Sequence, residues 1–395
     1  LQEDGLLIDG RKIRLHPVDA TDDKAVAGER AQDKLDELGA DNVVAIISAT
    51  GAGHQGSLQM AVDNGIPHFE IASGSRDDEF MDVANLDMTS AFQLRALCPY
   101  LAELAAEFIY KKGYQNVGLM RGTKAHDITH TDAIRAKLAE YAALPTDPWT
   151  GTIVNVDDYV MEYPDSDSPD VQTWREHQAD FIADYPDVDV VFFHLRGDSN
   201  NFSFLKDAKA LDGTTGFDAD IVTCDMARKP ALLDPVDTNV ADWLEGRFFF
   251  AGRGPISSDL GDQFTADLDS RFGKTADRWS KTGYDALVLV GLAVASAQST
   301  AHAEVKAGIY AHSKLGTKVE YGDVANGVQM ARNGMDIDYD GASGTLDIRE
   351  FGEQGVLEAD DRTVAGEYYI DDIISDGSGG FEYNRLTDPV PPTIR

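Results

Sequence analysis

The feature that most limits the fold of this chain is the regular alternation of short apolar segments with amphipathic helices. The segment Val43–Ile47, for example, holds only apolar residues. Such runs are typical of parallel strands that are covered on both faces. Because parallel strands need long crossover connections, the helices between them fit the same architecture. The alternation therefore predicts an α/β protein with parallel sheets.

The predicted elements form two successive series of helices and strands, followed by short strands and Gly-rich turns near the end of the chain. Helices are predicted over Glu29–Leu38, Ser57–Asn64, Ser90–Lys112, Thr131–Tyr141, Val171–Asp184, Phe202–Leu211, Asp259–Phe272 and Thr282–Ser299. Strands are predicted over Val43–Ile47, His68–Ile71, Val117–Met120, Thr152–Val156, Val188–Phe193, Ile221–Cys224, Arg247–Phe250, Thr345–Ile348, Glu367–Asp371 and Phe381–Tyr383. A chain of 395 residues exceeds one typical hydrophobic core, so two domains are expected.

The charge of the chain argues against two classes of partner. Asp and Glu number 69 against 34 Lys and Arg, a formal net charge of −35. A surface this acidic repels nucleic-acid backbones and anionic lipid headgroups. It also suggests, as a hypothesis about habitat, a high-salt environment that screens the carboxylates.

The cysteines and the apolar runs exclude further classes. Cys98 and Cys224 are too few for a disulfide framework or a zinc cluster, although one bridge stays open. No run of 18 apolar residues occurs, so no membrane-spanning helix is expected.

The sharpest local motif is Gly51-Ala52-Gly53-His54-Gln55-Gly56, which follows an apolar strand and precedes a helix. With Glu70 at the end of the next strand, it matches the fingerprint of a dinucleotide site. Against this, the predicted helix Ser57–Asn64 is short, and no hydride-transfer constellation follows. The alternative is a turn that presents free N–H groups to a smaller anion.

A second motif resembles the start of a calcium loop. Asp336, Asp338, Asp340 and Gly341 have the required spacing, and Asp347 stands at the twelfth position. The twelfth ligand should be a bidentate Glu, so an acidic loop that leads into a strand is the competing interpretation. No nucleophile elbow, Walker loop or H-E-x-x-H motif is present, and nothing argues for catalysis, a metal centre or a cofactor.

Four segments together resemble a known family. They are Gly10-Arg11-Lys12-Ile13-Arg14-Leu15 with Asp19 to Asp23, Val43–Thr50 with Gly65-Ile66-Pro67, Tyr284-Asp285-Ala286-Leu287, and Tyr339-Asp340-Gly341-Ala342-Ser343-Gly344-Thr345-Leu346-Asp347 with Gly352. In order and spacing they resemble the type I periplasmic solute-binding proteins, and most closely the branched-chain amino acid (leucine/isoleucine/valine-binding) branch of ABC transporters. The last segment also gives a structural explanation for the calcium-like spacing.

The resemblance implies two Rossmann-like lobes with parallel sheets, joined by a hinge of three crossovers that closes like a flytrap. Lobe 1 is expected to comprise residues 1–88 and 250–366, and lobe 2 residues 89–249 and 367–395. Family members begin with a strand and a helix ahead of the Gly-Arg segment. That part is absent from this sequence, so we expect either that the sequence lacks it or that the first lobe is unusual.

The resemblance also implies a set of ligand-binding residues. The turns that hold the ligand carboxylate in the family fall on Thr50–Gln55 (with Thr50, Gly53, His54 and Gln55) and on Ala72, Ser73 and Gly74. Of the second-lobe groups, His126 and Arg196 fall near aromatic wall positions. Asp225 falls where an acidic residue pairs with the ammonium group of the ligand. A buried carboxylate needs such a partner, and an Arg in a closed pocket favours a ligand more polar than leucine.

The function that the resemblance implies is that of an extracytoplasmic solute-binding protein. It would bind an amino acid or a related small zwitterion or amide between its lobes and deliver it to a membrane ABC permease. We expect a monomer without enzymatic activity, periplasmic or extracellular, with or without a lipid anchor. A ligand-sensing receptor or regulator of the same fold is the main alternative, and an NAD-dependent oxidoreductase that uses the Gly-rich turn is a further one.

Overall fold

The structure, a computed structural model, divides into two compact units. It describes residues 12–20, 23–72, 88–94, 98–122, 125–154, 160–161, 180, 184–185, 187–194, 205–206, 208–210, 212, 218–224, 230–233, 240–254, 258–348, 367–378 and 380–386. Unit 1 takes its residues from Leu1–Leu97, Gly254–Glu367 and Thr393–Arg395, and unit 2 from Cys98–Arg253 and Tyr368–Pro392.

Helices and short strands alternate along the described residues. The helices are α1 Lys24–Leu38, α2 Gly51–Asp63, α3 Cys98–Lys112, α4 Ala125–Ala142, α5 Pro230–Leu233, α6 Ala241–Leu244, α7 Asp259–Phe272, α8 Arg278–Ala297, α9 His302–His312 and α10 Val324–Arg332. The strands are β1 Ile46–Ser48, β2 His68–Glu70, β3 Ala91–Gln93, β4 Asn116–Gly122, β5 Thr152–Val154, β6 Val160–Met161, β7 Val190–His194, β8 Asp220–Cys224, β9 Phe248–Gly254, β10 Thr317–Glu320, β11 Ile337–Gly341, β12 Gly344–Thr345, β13 Glu367–Ser375 and β14 Phe381–Arg385.

Unit 1 contains a parallel sheet in the order β1-β2-β3. Ile47, Phe69 and Phe92 are partners in register and face one side of it, where they join the apolar core formed with α8. The rings of Phe69 and Phe92 stack with centroids 5.0 Å apart. Because side chains alternate along a strand, the neighbouring residues face the opposite side, towards α2.

A second sheet of unit 1, in the order β10-β11-β12, pairs β10 and β11 in parallel and β11 and β12 antiparallel. Its buried residues Val319, Ile337 and Tyr339 belong to the same core as α8. Unit 1 therefore has one principal core, with α8 at its centre.

Unit 2 contains an eight-stranded sheet in the order β14-β13-β9-β8-β7-β4-β5, with β6 also paired to β4. β4, β5, β7, β8 and β9 pair in parallel, as the apolar runs predict, and β13 and β14 pair antiparallel. The buried side chains of β7, β8 and β9 form the centre of the unit 2 core.

Two differences from the sequence-based prediction bear on the candidate site. Ser90–Gln93 was predicted as the start of a long helix, but it contains strand β3, since Phe92 pairs with Phe69 in the sheet. The later part of the predicted helix is confirmed, since α3 covers Cys98–Lys112. The predicted helix Val171–Asp184 lies largely outside the described residues. Half of the predicted helix Phe202–Leu211 is described, and those residues, 205–206 and 208–210, are helical.

Helix α2 is the second difference, because it begins at Gly51 and not at Ser57. The whole Gly-rich motif therefore lies inside the helix. A Cβ on Gly56 would lie 2.5 Å from the Lys24 carbonyl oxygen and 2.7 Å from the Gly28 amide nitrogen. The glycine thus permits α1 and α2 to approach each other backbone to backbone.

The expectations about a disulfide and about membrane-spanning helices can also be compared with the structure. Cys224 is a buried thiol outside any disulfide. Among the described residues, no single helix has both the length and the apolarity of a membrane span. Only the bent pair Trp279–Ala297 and His302–His312 passes that test, and only when the two are taken together.

The contact between α1 and α2 gives a first prediction. Gly56→Ala should lower the free energy of unfolding by about 1–3 kcal/mol, since the clash is with backbone atoms that cannot move aside. Helix propensity alone predicts the opposite sign, a gain of about 1 kcal/mol. Denaturant unfolding measures the difference. The matched control is Gln59→Ala on the exposed side of α2, expected to stay within about 0.5 kcal/mol of the parent. A stabilised Gly56→Ala protein would contradict the close approach.

Candidate functional site

Three buried polar residues end the three parallel strands of unit 1. Ser48, Glu70 and Gln93 are partners in register, and their exposed fractions are 6%, 0% and 2%. Because the strands are parallel, these side chains leave the same face of the sheet at its carboxyl edge. That edge is where α/β folds place their ligands. Hydrophobic burial does not explain three polar side chains in one row, so the row marks the candidate site.

The turn after β1 places the N-terminus of α2 next to this row. Thr50 is the N-cap of the helix, and its Oγ1 accepts a hydrogen bond from the Gly53 amide at 2.9 Å. Ser48 Oγ donates to the Thr50 carbonyl at 3.2 Å and so fixes the turn. The first amides of a helix have no partner within it. Gly51 and Ala52 therefore present N–H groups at the edge, together with the exposed Thr50 side chain.

The turn after β2 is shaped by Glu70. Its Oε1 accepts a hydrogen bond from the Ala72 amide at 2.7 Å. The carboxylate is fully buried and holds the main chain of the turn that begins at Ala72. A ribose-binding acid must be reachable by the ribose, whereas this side chain is enclosed and bonded to its own turn. Glu70 is therefore a residue that positions the turn.

The glycines of the dinucleotide-like motif have structural roles as well. A Cβ on Gly53 would lie 3.0 Å from Ser48 Oγ and 3.1 Å from Ala20 Cβ. Gly53 is thus required by the packing of the protein's own side chains. Together with the role of Gly56 in the contact between α1 and α2, this gives the glycines of the motif a structural explanation that needs no dinucleotide.

His54 lies inside α2, although the sequence placed it in a loop. Its side chain is 1% exposed, and its ring lies 5.3 Å from that of His68, centroid to centroid. Ser57 Oγ donates its single proton to the Gly53 carbonyl at 2.7 Å, so at its 2.9 Å contact with His68 it accepts from Nε2–H. His68 is thereby assigned as the Nε2–H tautomer, and the cluster joins α2 to the sheet.

The structure describes only some of the other residues of the predicted ligand site. Gln55 is half-buried in α2, and Gly53 is buried there. His126 lies in α4. Ser73, Gly74, Arg196 and Asp225 lie outside the described residues, so their part in ligand binding stays a prediction.

A second buried carboxylate, Asp285 on α8, organises the turn after β11. It accepts hydrogen bonds from the Tyr339 hydroxyl at 2.8 Å, the Ala342 amide at 2.9 Å, and the Ser343 amide and hydroxyl at 2.7 and 2.5 Å. A Cβ at Gly341 would lie 2.3 Å from Asp285 Cγ. The two motifs that contain Asp285 and Tyr339–Ser343 are therefore one structural device.

The calcium-like spacing lies mostly in strand β11, Ile337–Gly341. Asp338 and Asp340 are two apart, so they share a face, and their Oδ2 atoms lie 3.0 and 2.9 Å from Lys318 Nζ. An extended strand cannot turn these carboxylates around one ion, and a lysine ammonium already lies between them. In the part of the chain that the structure describes, no group of three or more His, Cys, Asp or Glu side chains is placed to hold a metal.

Comparisons with known proteins show a likeness in structure. No family model and no curated protein sequence matches the chain. A leucine-binding protein, LivK, from Thermotoga maritima matches with a TM-score of 0.66 at 16% identity, over 99% of this chain and 91% of its own. LivJ from Streptococcus pneumoniae, solved with isoleucine, matches with a TM-score of 0.61 at 14% identity, over 97% and 90%. A solute-binding protein from Rhodopseudomonas palustris, solved with benzoate, matches with 0.63 at 14%, over 100% and 90%.

The chain has the fold of the type I periplasmic binding proteins. The resemblance drawn from the four sequence segments is confirmed at the level of the fold. Within this fold, sequence reasoning missed Ser48 and Gln93 as members of the site. Gln93 had been assigned to a helix. The signal that could have found both is a polar residue at the end of an apolar run in each strand.

Asp285 gives a prediction that depends on pH. Burial raises the pKa of Asp285 to about 6, although its four hydrogen bonds oppose this. Because this folded-state pKa lies above the unfolded value of 3.8, the folded protein binds more protons than the unfolded chain between about pH 4 and 6. The contribution of Asp285 to stability is therefore greatest below pH 4 and is lost as the pH rises through 6.

The measurement compares the parent protein with Asp285→Asn, which does not titrate there. The parent's free energy of unfolding minus that of the variant should fall by up to about 3 kcal/mol between pH 4 and pH 7. Denaturant titrations across this range measure it. If this difference rose with pH, the hydrogen bonds would lower the pKa of Asp285 by more than burial raises it.

Proposed function

We propose that this protein is an extracytoplasmic solute-binding protein that captures an amino acid or a related small polar zwitterion or amide. The observation that carries the proposal is the buried polar row at the carboxyl edge of β1-β2-β3, with the N-terminus of α2 beside it. The likeness in fold to solute-binding proteins over 97–100% of this chain supports it.

The carboxyl edge of the sheet β1-β2-β3 in unit 1 offers the hydrogen-bond donors that a carboxylate needs. The Thr50 hydroxyl and the amides of Gly51 and Ala52 are donors, and the positive end of the α2 dipole favours an anion. The acidic surface of the whole chain, at −35, makes capture of a free anion by long-range attraction unfavourable. The amide donors act at short range and overcome this repulsion only when the ligand is already in contact. A ligand whose net charge is near zero is therefore favoured.

The ligands bound to two of the structural neighbours share one chemical group. Isoleucine and benzoate both carry a carboxylate, whereas only isoleucine carries an amine. A carboxylate is thus the feature that we carry over to this chain first. In our proposal Asp225 binds the ammonium group of the ligand, and Arg196 and His126 line the wall near its side chain.

The delivery partner in this proposal is a membrane ABC permease, and the protein acts outside the cytoplasm as a monomer. The fold likeness to substrate-binding proteins of ABC transporters supports the choice of a permease as partner. We propose ligand binding, and not catalysis, as the role of this polar edge.

Calorimetry with a panel of amino acids, benzoate and NAD tests the proposal. At least one amino acid or amide should bind, and NAD should not. For an amino acid that binds, Asp225→Asn should weaken affinity by about 30-fold or more, because an ammonium loses its charged partner. Asp218→Asn, an exposed carboxylate next to β8, is the matched control and should leave affinity unchanged.

Two outcomes would contradict this account. Binding of NAD without binding of any amino acid or amide would restore the oxidoreductase interpretation. Unchanged amino-acid affinity in Asp225→Asn would remove Asp225 from the site, while leaving the carboxylate-binding edge of unit 1 intact.

A further inference from the structure

Helix α9 connects separate parts of unit 1 and has a histidine at each end, His302 and His312. Its first turn contacts the end of α2 and the main chain before β1, and the helix also packs against β11. Between its ends, a Cβ on Gly308 would lie 2.8 Å from Ala293 Cα, so α9 and α8 approach each other backbone to backbone. Packing thus fixes the middle of α9, and the two histidines determine how its ends are held.

Both ring nitrogens of His302 face carbonyl oxygens. Nδ1 lies 3.1 Å from the Asn64 carbonyl oxygen, at the C-terminal end of α2, and Nε2 lies 2.9 Å from the Val43 carbonyl oxygen, ahead of β1. A carbonyl oxygen only accepts hydrogen bonds, and a neutral imidazole carries a single N–H, whereas an imidazolium carries two. The two hydrogen bonds therefore form together only when His302 is protonated.

The charges around His302 do not oppose this form. The charged side chains of the segments that it joins are Asp41 and Asp63, and Glu304 lies on α9 itself; all three are acidic and exposed. The negative end of the α2 dipole favours a cation at this position, whereas the positive end of the α9 dipole disfavours it. Because the two dipoles oppose each other, the two carbonyl oxygens decide which form of His302 is held best.

His312 has surroundings of the opposite kind. Its side chain is only 3% exposed. Among the described residues, neither of its ring nitrogens makes a hydrogen bond of normal geometry. Burial without such partners disfavours the charged form of an imidazole. The last turn of α9 is therefore packed best when His312 is neutral.

The pKa of His312 follows this geometry. Burial lowers it from its usual 6.5, although the Asp336 carboxylate and the main chain of Ile337 oppose this. The other charged side chains of β11 and of the loop after α9 are Asp338, Asp340 and Lys314, and α8 has none from Ala286 to Ala297. Because the folded-state pKa lies below the unfolded value, the contribution of His312 to stability is complete above pH 6.5 and is lost as the pH falls below it.

We propose that α9 is a pH-responsive connection within unit 1, held at its first turn in acid, when His302 donates both hydrogen bonds, and at its last turn at higher pH, when His312 is neutral. Histidine is the side chain that ordinarily changes its charge between pH 5 and 8. A fall in pH across this range strengthens the contact of α9 with Asn64 and Val43 and weakens its contact with the start of β11.

Denaturant unfolding of the parent, His302→Gln and His312→Leu at pH 5 and pH 8 is the first test. The factor by which His302→Gln raises the unfolding constant over that of the parent should be larger at pH 5, by up to about tenfold, since the variant cannot gain the second hydrogen bond. The unfolding constant of His312→Leu relative to the parent should instead be smaller at pH 5, by up to about tenfold.

Two features make this comparison specific. Asp285 titrates in all three proteins, so its effect cancels in the ratios. His16→Gln, a change at an exposed histidine, is the matched control and should give the same ratio to the parent at both pH values. For either His302→Gln or His312→Leu, a ratio that stays constant with pH or moves in the opposite direction would overturn the proposal.

Amide hydrogen exchange in the parent is the second test, because it separates the two ends of α9. The amides of Glu304 and Val305, which donate to the Ala301 carbonyl, report on the first turn, and those of Ala311 and His312 report on the last turn. The protection of the first pair relative to the second, each corrected for the exchange rate of unstructured amides, should be higher at pH 5 than at pH 8. An unchanged or lower ratio at pH 5 would overturn the proposal.

Discussion

Parallel pairing of β1, β2 and β3 is the constraint on which the candidate site depends. It brings the ends of three strands, which are distant in sequence, to one edge of a sheet. Register then aligns Ser48, Glu70 and Gln93, and the turn after β1 adds the N-terminus of α2 to the same edge. The site is thus a consequence of strand direction and register, and the Gly-rich motif serves it by allowing α1, α2 and the sheet to pack closely.

The motifs that revealed the fold do not define the ligand. Asp285 collects hydrogen bonds from Tyr339, Ala342 and Ser343, and Gly341 makes room for its carboxylate. These residues hold α8 to the turn after β11. A buried carboxylate that loses its donors is costly, so the loss of any one of these partners is expected to destabilise the junction between α8 and β11.

Local patterns predicted most of the described elements, and tertiary contacts decided the exceptions. Helix Asp259–Phe272 was predicted to the residue, since Ser258 caps it and Gly273 ends it. Strand β3 was missed because its three residues form a strand only through pairing with β2. The start of α2 was missed because glycines weaken a helix signal, and their packing against α1 is invisible in sequence. The location of the candidate site at the carboxyl edge of the sheet could be predicted from strand order. The hydrogen-bond partners of Glu70 and His68 could not.

Identifying what the protein carries when it is isolated tests the central claim most directly. Native mass spectrometry of the protein from its own cells, followed by release and accurate mass determination of the bound compound, gives this in one measurement. The account predicts one small molecule per chain, with both a carboxylate and an amine or amide group. A dinucleotide or a purely hydrocarbon compound would contradict it.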